Sequence, residues 1–160
     1  MINPNYPKKH VDIYTDGACK GNPGPGGYGS ILVYMSTEKR ISKGYFSTTN
    51  NRMELRAAIT ALEALTEKCS VTLYSDSKYL IDGMTKGWAK KWKANNWIKS
   101  DRKKALNIDL WEKMLKLDSI HDIEYVWVKG HNGHEYNEQC DRMAVEAAEN
   151  PTEEDVIIQI

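Results

Sequence analysis

Two short segments of the chain close in nearly the same way, IYTDG at 13–17 and LYSDS at 73–77. Each is an alternating run that ends on an aspartate, Asp16 in the first and Asp76 in the second. A strand-terminal aspartate standing alone is ordinary turn chemistry. If the two strands lie side by side, both carboxylates project from neighbouring strand ends on one side. Two more acids sit where acids are costly. Ala58, Ala61 and Leu65 share the helical face of Glu54, and Ala144, Val145 and Ala148 share that of Asp141. A place in the first helical turn, where a carboxylate complements the dipole, is the plain explanation for Glu54. An acid on a packed stripe nonetheless needs a partner.

Four gathered carboxylates repel one another and shift toward protonation unless cations join them. All-oxygen donors select hard divalent ions, and carboxylates with water are the usual company of magnesium. Two such ions about 4 Å apart can activate a water and stabilise the leaving oxygen of a phosphodiester. Calcium storage is the competing use, but the spacing is not that of an EF-hand loop.

The elements that must position these acids are legible from periodicity. Residues 11–16 alternate, with 28–35 and 41–49 as two further strands joined by STEKR, which predicts an antiparallel meander. The period then changes, and Leu55, Ile59 and Leu62 predict a helix over 51–68. Strand 70–76, a short helix from Ser77 to Gly83 with Ser77 as cap, a helix around NIDLWEKMLKLD, strand 122–130, a loop at HNGHEYN and a last helix over 138–150 complete the pattern. This order predicts an α/β fold with a mixed five-stranded sheet, meander plus parallel strands, and helices on both faces.

At 160 residues the chain suits one domain, with a core over about 11–150. Its 41% hydrophobic and 28% charged residues suggest neither disorder nor a membrane span, and no apolar run is long enough to cross a bilayer. MINPNYPKKH has no apolar stretch after its charges, which argues against a secretory signal. Three cysteines without CxxC spacing read as reduced thiols, and a cytoplasmic setting follows. The formal net charge is zero but unevenly placed: Lys86–Lys104 holds eight bases against Asp101, within a protrusion of about 84–104. The tail 151–160 is acidic and is expected to be a mobile end.

VDIYTDGACKGNPGPGGYG crowds glycine and proline after Asp16. A long hairpin and a phosphate-handling loop both fit, although no GK[ST] ending makes it a P-loop. In the basic segment a solvated lysine-rich helix competes with a surface that tracks a nucleic-acid backbone. Trp88 and Trp92 share a face there by their i, i+4 spacing, which fits helix packing equally well.

YTDGACKGNPGPGGYG, TTNNRMELRAA, YSDSKYL and WVKGHNGHEYNEQCD together resemble bacterial type 1 ribonuclease H, and the likeness runs from Val11 to Ala148. The resemblance implies a ribonuclease H-like fold and endonucleolytic cleavage of the RNA strand of RNA–DNA hybrids, leaving 5′-phosphate and 3′-hydroxyl ends. It makes Asp16, Glu54, Asp76 and Asp141 the catalytic metal ligands for two Mg2+ ions, with Mn2+ as a possible substitute. His131 would assist proton transfer or product departure, while His10, His121 and His134 are read as structural. Cys19, Gly21 and Asn22 would lie near the RNA ribose groups, with Asn51 and Glu54 reading the 2′-hydroxyl. Thr49, Asn50 and Asn107 match residues that contact the substrate backbone. Trp88, Lys90, Lys91, Lys93, Lys103 and Lys104 would grip the DNA strand, with Trp92 and Trp97 mainly structural. Lys78 stands where many relatives carry an uncharged residue, and either a DNA contact or a lowered metal affinity would follow. The implied partner is a hybrid duplex bound by a monomer, away from membranes. A non-catalytic hybrid-binding module and another carboxylate–metal nuclease on the same fold remain the alternatives.

Overall fold

The computed structural model describes residues 8–130 and 134–156. Five strands, β1 (His10–Cys19), β2 (Gly24–Tyr34), β3 (Thr37–Thr48), β4 (Ser70–Ser75) and β5 (Asp122–Trp127), form one sheet in the order β3-β2-β1-β4-β5. The first three pair antiparallel, whereas β1–β4 and β4–β5 are parallel. The mixed sheet is therefore as expected. Helices α1 (Asn50–Glu63), α2 (Lys78–Thr85), α3 (Trp88–Ala94), α4 (Ile108–Ile120) and α5 (Glu135–Glu149) complete the fold.

Helix α1 packs on β1 and β2 and against α4, and α5 covers the other face over β1, β2 and β3. The main core lies between the sheet and α1, where Ile13, Leu55, Leu62, Leu73 and Trp111 are fully buried. Along β2 the side chains divide by parity. Ser30 donates to the Ala57 carbonyl on α1 at 2.7 Å, whereas a Cβ at Gly27 or Gly29 would lie 2.7 Å or less from α5 backbone. Glycine is what lets α5 rest directly on the sheet.

Several boundaries differ from the sequence reading. Most of the glycine-rich segment is strand: β1 continues to Cys19 and β2 begins at Gly24, so only four residues turn the chain. The STEKR connection shrinks to Met35 and Ser36, because Thr37 already pairs with Tyr34 and Met35 takes the left-handed turn conformation at φ 54°. Helix α1 stops at Glu63, where Ala64 and Leu65 bond back to Ala61 and Leu62 and tighten the last turn. Helix α5 starts three residues earlier than expected. The largest correction concerns the tail. Expected as a mobile end, it docks up to Asp155: Thr152 and Glu153 donate to Gly44 O at 3.0 Å, and Asp155 is buried against Arg52 and Arg56. Its acidity is matched by these cations, which periodicity did not reveal. Among the described residues no helix is long and apolar enough to cross a membrane.

Candidate active site

The offset that pairs Tyr14 with Tyr74 also relates Asp16 to Asp76, two residues beyond the last rung of that ladder. Asp16 is not at a strand end, however. It still pairs with Gly29 on β2 while β1 has parted from β4. Asp76 follows the last residue of β4, so the two aspartates flank the fork between the strands. Ser77 caps α2 by accepting from Leu80 N at 3.1 Å, as the sequence predicts, and Ser77 N donates to the Ser75 hydroxyl at 3.0 Å. The indole of Trp127 donates to the Asp76 carbonyl at 3.2 Å, which fixes this strand end from β5.

Glu54 is the fifth residue of α1, past the first turn, so the dipole explanation lapses and the packed-face argument stands. Its Oε1 accepts from Gly17 N at 2.9 Å, and that amide also approaches Asp16 Oδ1 at 2.9 Å. Gly17 is required there, since a Cβ would fall 2.8 Å from Glu54 N. Asp16, Glu54 and Asp76 each offer an oxygen within 4.8 Å of the others. Asp141, carried in by α5, lines the same cleft of about 350 Å³. On its helix Ala144 and Ala148 are buried as expected, whereas Val145 is exposed.

Burial raises the Asp16 carboxyl far above the carboxylate range, and the charges of Glu54, Asp76 and Asp141 raise it further. Glu54 is raised by burial and then by Asp76, with Gly17 N–H opposing. Such a group is held in place by the fold against its own electrostatics. A divalent cation removes both penalties, and the oxygen-only donor set at this spacing fits a hard ion.

The structure divides the remaining sequence-derived residues. Asn50, Asn51 and Lys78 line the cleft with Gly17, Ser77 and Tyr79. Cys19, Gly21, Asn22, Thr49, Trp88, Lys90, Lys91, Lys93 and Asn107 do not line it. Thr49 caps α1 by accepting from Arg52 N at 3.3 Å, and Asn22 Oδ1 accepts from Asn50 N at 3.2 Å. Cys19 donates to the carbonyls of Gly24 and Thr48 at 3.4 Å. Asn107 accepts from Arg52 at 3.2 Å and donates to the Tyr79 hydroxyl at 3.1 Å. His131 lies outside the described residues. In the basic segment Trp92 packs edge-on against Trp111 at 6.0 Å and Trp97 also joins the core, while Trp88 stays 38% exposed beneath Lys86. Lys90, Lys91 and Lys93 project to the surface.

Sequence reasoning missed Arg52, Tyr79 and Trp127. Arg52 was discoverable, since it begins the stripe that continues through Leu55, Ile59 and Leu62, and it is fully buried. Tyr79 accepts from Trp111 Nε1 at 2.9 Å and ties α2 to α4; nothing in its local sequence marks that.

Asp16, Glu54 and Asp76, gathered at the fork of a five-stranded mixed sheet, form an acidic site of the kind that holds a hard divalent ion. The RNase H family profile matches residues 8–149. The ribonuclease H of Rippkaea orientalis is 60% identical over 145 residues, covering 91% of this chain and 89% of that protein. Among solved structures, LC9-RNase H1, a type 1 RNase H with the type 2 active-site motif, superposes with TM-score 0.81 at 30% identity, covering 98% of this chain and 80% of that one. LC11-RNase H1, solved with an RNA/DNA hybrid, gives TM-score 0.67 at 24% identity over 88% of this chain and 97% of its own, a likeness of fold. The chain belongs to the ribonuclease H family, in its bacterial type 1 branch, and is an enzyme of that family. The family is metal-dependent.

Proposed function

We propose that the cleft hydrolyses the RNA strand of RNA–DNA hybrids endonucleolytically, by a two-metal-ion mechanism that leaves 5′-phosphate and 3′-hydroxyl products. The observation that carries this reading is the approach of Asp16, Glu54 and Asp76 to within 4.8 Å at the strand fork, with Asp141 on the same cleft. These four residues would hold the ions, Mg2+ with Mn2+ as a substitute, which supply water activation and stabilisation of the leaving oxygen. Gly17 N–H would orient Glu54 and Asp16 toward that task. His131 would carry the proton-transfer role.

Substrate contacts are assigned on the same reading. Asn50 and Asn51 stand at the cleft, and Asn22 ties the turn containing Gly21 to the start of α1; on this reading the turn and Cys19 would follow one strand. Thr49 and Asn107 would contact the backbone from the ends of α1 and α4. Trp88, Lys90, Lys91 and Lys93 would hold the DNA strand. A module that only binds hybrid would gain from losing buried negative charge beside phosphates, which favours catalysis over binding alone. The free cysteines Cys19, Cys69 and Cys140 support a reducing, cytoplasmic setting, and the enzyme would act as a monomer. Cleavage of matched hybrid, double-stranded RNA and double-stranded DNA under Mg2+ and Mn2+ titration tests the proposal. Hybrid-selective, metal-dependent cutting with 3′-hydroxyl ends is expected; metal-independent cutting, or equal cutting of all three, would overturn it.

A further inference from the structure

Lys78 is the cationic side chain among the described residues that line the cleft, where it accompanies Asp16, Glu54, Asp76 and Asp141. Local helix chemistry does not explain it. Lys78 is the first residue of α2, whose N-terminal end carries partial positive charge and disfavours a cation. What holds the side chain is Trp127: the Lys78 ammonium lies 4.2 Å from the ring centroid, a cation–π contact. The same indole donates to the Asp76 carbonyl at 3.2 Å. One aromatic ring therefore fixes both the strand end that bears Asp76 and a positive charge at the rim of the carboxylate cleft. A cation carried by a residue of the acid-lined cleft and held on an aromatic platform has an electrostatic consequence. Its field opposes the arrival of any further cation in the cleft.

We propose that Lys78 is a specificity-determining residue that sets the divalent-metal affinity of the cleft, acting as a resident counter-charge which entering metal ions must overcome. The inference rests on the metal-dependent reading above. A single positive charge several ångströms from a divalent ion, screened nearly as in bulk water, weakens its binding by a factor on the order of ten. Because Lys78 is exposed and held by a ring rather than by a ligand carboxylate, removing it leaves the donor set intact. The consequence is a higher metal concentration for half-occupancy than the carboxylates alone would give.

The test is isothermal calorimetry of Mg2+ and of Mn2+ onto the wild type, Lys78→Gln and Lys78→Arg, with metal-dependent thermal stabilisation as a second readout. Lys78→Gln is expected to bind both ions about tenfold more tightly, and Lys78→Arg to stay within about twofold of the wild type, since it retains charge and stacks on the indole. In parallel, hybrid affinity in chelator is measured against salt. Equal metal constants for the wild type and Lys78→Gln would overturn the inference while leaving the functional reading standing. Equal constants with a salt slope reduced by about one unit would also overturn it, and would assign Lys78 to a substrate phosphate. A wild type that binds neither ion would overturn the functional reading itself, and this inference with it.

Discussion

Arg52 and Asp155, 103 residues apart in the chain, meet through Nε and Oδ2 at 2.8 Å, with both side chains almost wholly buried. The guanidinium is shared. Its two terminal nitrogens reach Asp109 at 2.9 and 2.7 Å, and one of them also reaches Asp155 Oδ1 at 3.1 Å. Asp155 accepts in addition from Arg56 and Thr48, each at 2.6 Å. Two arginines thus balance two aspartates, and the network joins the tail to α1, which carries Glu54, and to the start of α4. Bidentate geometry and full hydrogen bonding are the conditions under which a buried pair offsets its desolvation.

Removing Asp155 leaves buried guanidinium charge uncompensated, so Asp155→Ala should cost about 3–5 kcal/mol, read as a lowered urea midpoint at an unchanged slope. Its pH signature follows from the same contacts. Burial alone would raise the Asp155 carboxyl, but Arg52, Thr48 and Arg56 outweigh it and hold it at about 2. A depressed folded value gives stability that is present above the unfolded value of 3.8 and is lost as pH falls toward 2. That window is worth roughly 2 kcal/mol in the wild type and should be absent from the variant. An acid limb of the same depth in both proteins would show that Asp155 is not ionised in the fold.

Asp16 behaves in the opposite sense. Its folded value is raised, so the folded protein prefers the proton and loses stability as pH climbs above the unfolded value of 3.8. In chelator at neutral pH, Asp16→Asn should therefore melt higher than the wild type, by roughly 2–8 °C for a gain of about 1–2 kcal/mol. Cleavage should be lost at any magnesium concentration, because a metal-binding charge is gone. A variant that is active, or one that melts lower without metal, would remove Asp16 from the proposed role.

The acid cleft and the docked tail were not equally visible in the sequence. The matching IYTDG and LYSDS segments marked Asp16 and Asp76, and the packed helix stripes marked Glu54 and Asp141, because a repeated motif and an acid on an apolar face are conspicuous without knowledge of the fold. The docked tail was hidden, since Asp155 obeys every rule for a surface residue until Arg52 and Arg56 arrive from a distant helix. The glycines misled for a related reason. Gly27 and Gly29 are demanded by the approach of α5 and Gly17 by the main chain at Glu54, contacts that depend on tertiary packing. Local chemistry suggested a long hairpin or a phosphate-handling loop.

Lys90, Lys91 and Lys93 occupy a short helix whose buried side is anchored by Ala89 and Trp92, so their charges can be changed without touching the core. Replacing all three with glutamine should weaken hybrid binding and lower the log–log salt slope by about three units if each meets a phosphate. The single-turnover rate at saturating enzyme should change little. A slope equal to that of the wild type would return this helix to the role of a solvated surface.

Sugar discrimination is the sharpest consequence of the cleft's layout. Asn50 and Asn51 begin the helix that carries Glu54, and the Asn22 side chain joins the turn containing Gly21 to Asn50 N at 3.2 Å. Gly21 adopts φ 89°, a conformation that favours glycine, and the residue is exposed. Donors and acceptors from the turn and from α1 are thus held as one unit, and the 2′-hydroxyl of ribose can satisfy both kinds. With deoxyribose the buried Glu54 carboxylate would lose that partner, and a site built to bond a hydroxyl rejects the analogue by a factor on the order of ten thousand. Since Glu54 belongs both to this unit and to the carboxylate group, a missing hydroxyl should impair the chemical step as well as binding. Single-turnover rates on matched RNA–DNA and DNA–DNA duplexes at saturating enzyme should differ by that order. Comparable rates would mean that the asparagines bind backbone without sensing the sugar, and the cleft would then be that of a general carboxylate–metal nuclease.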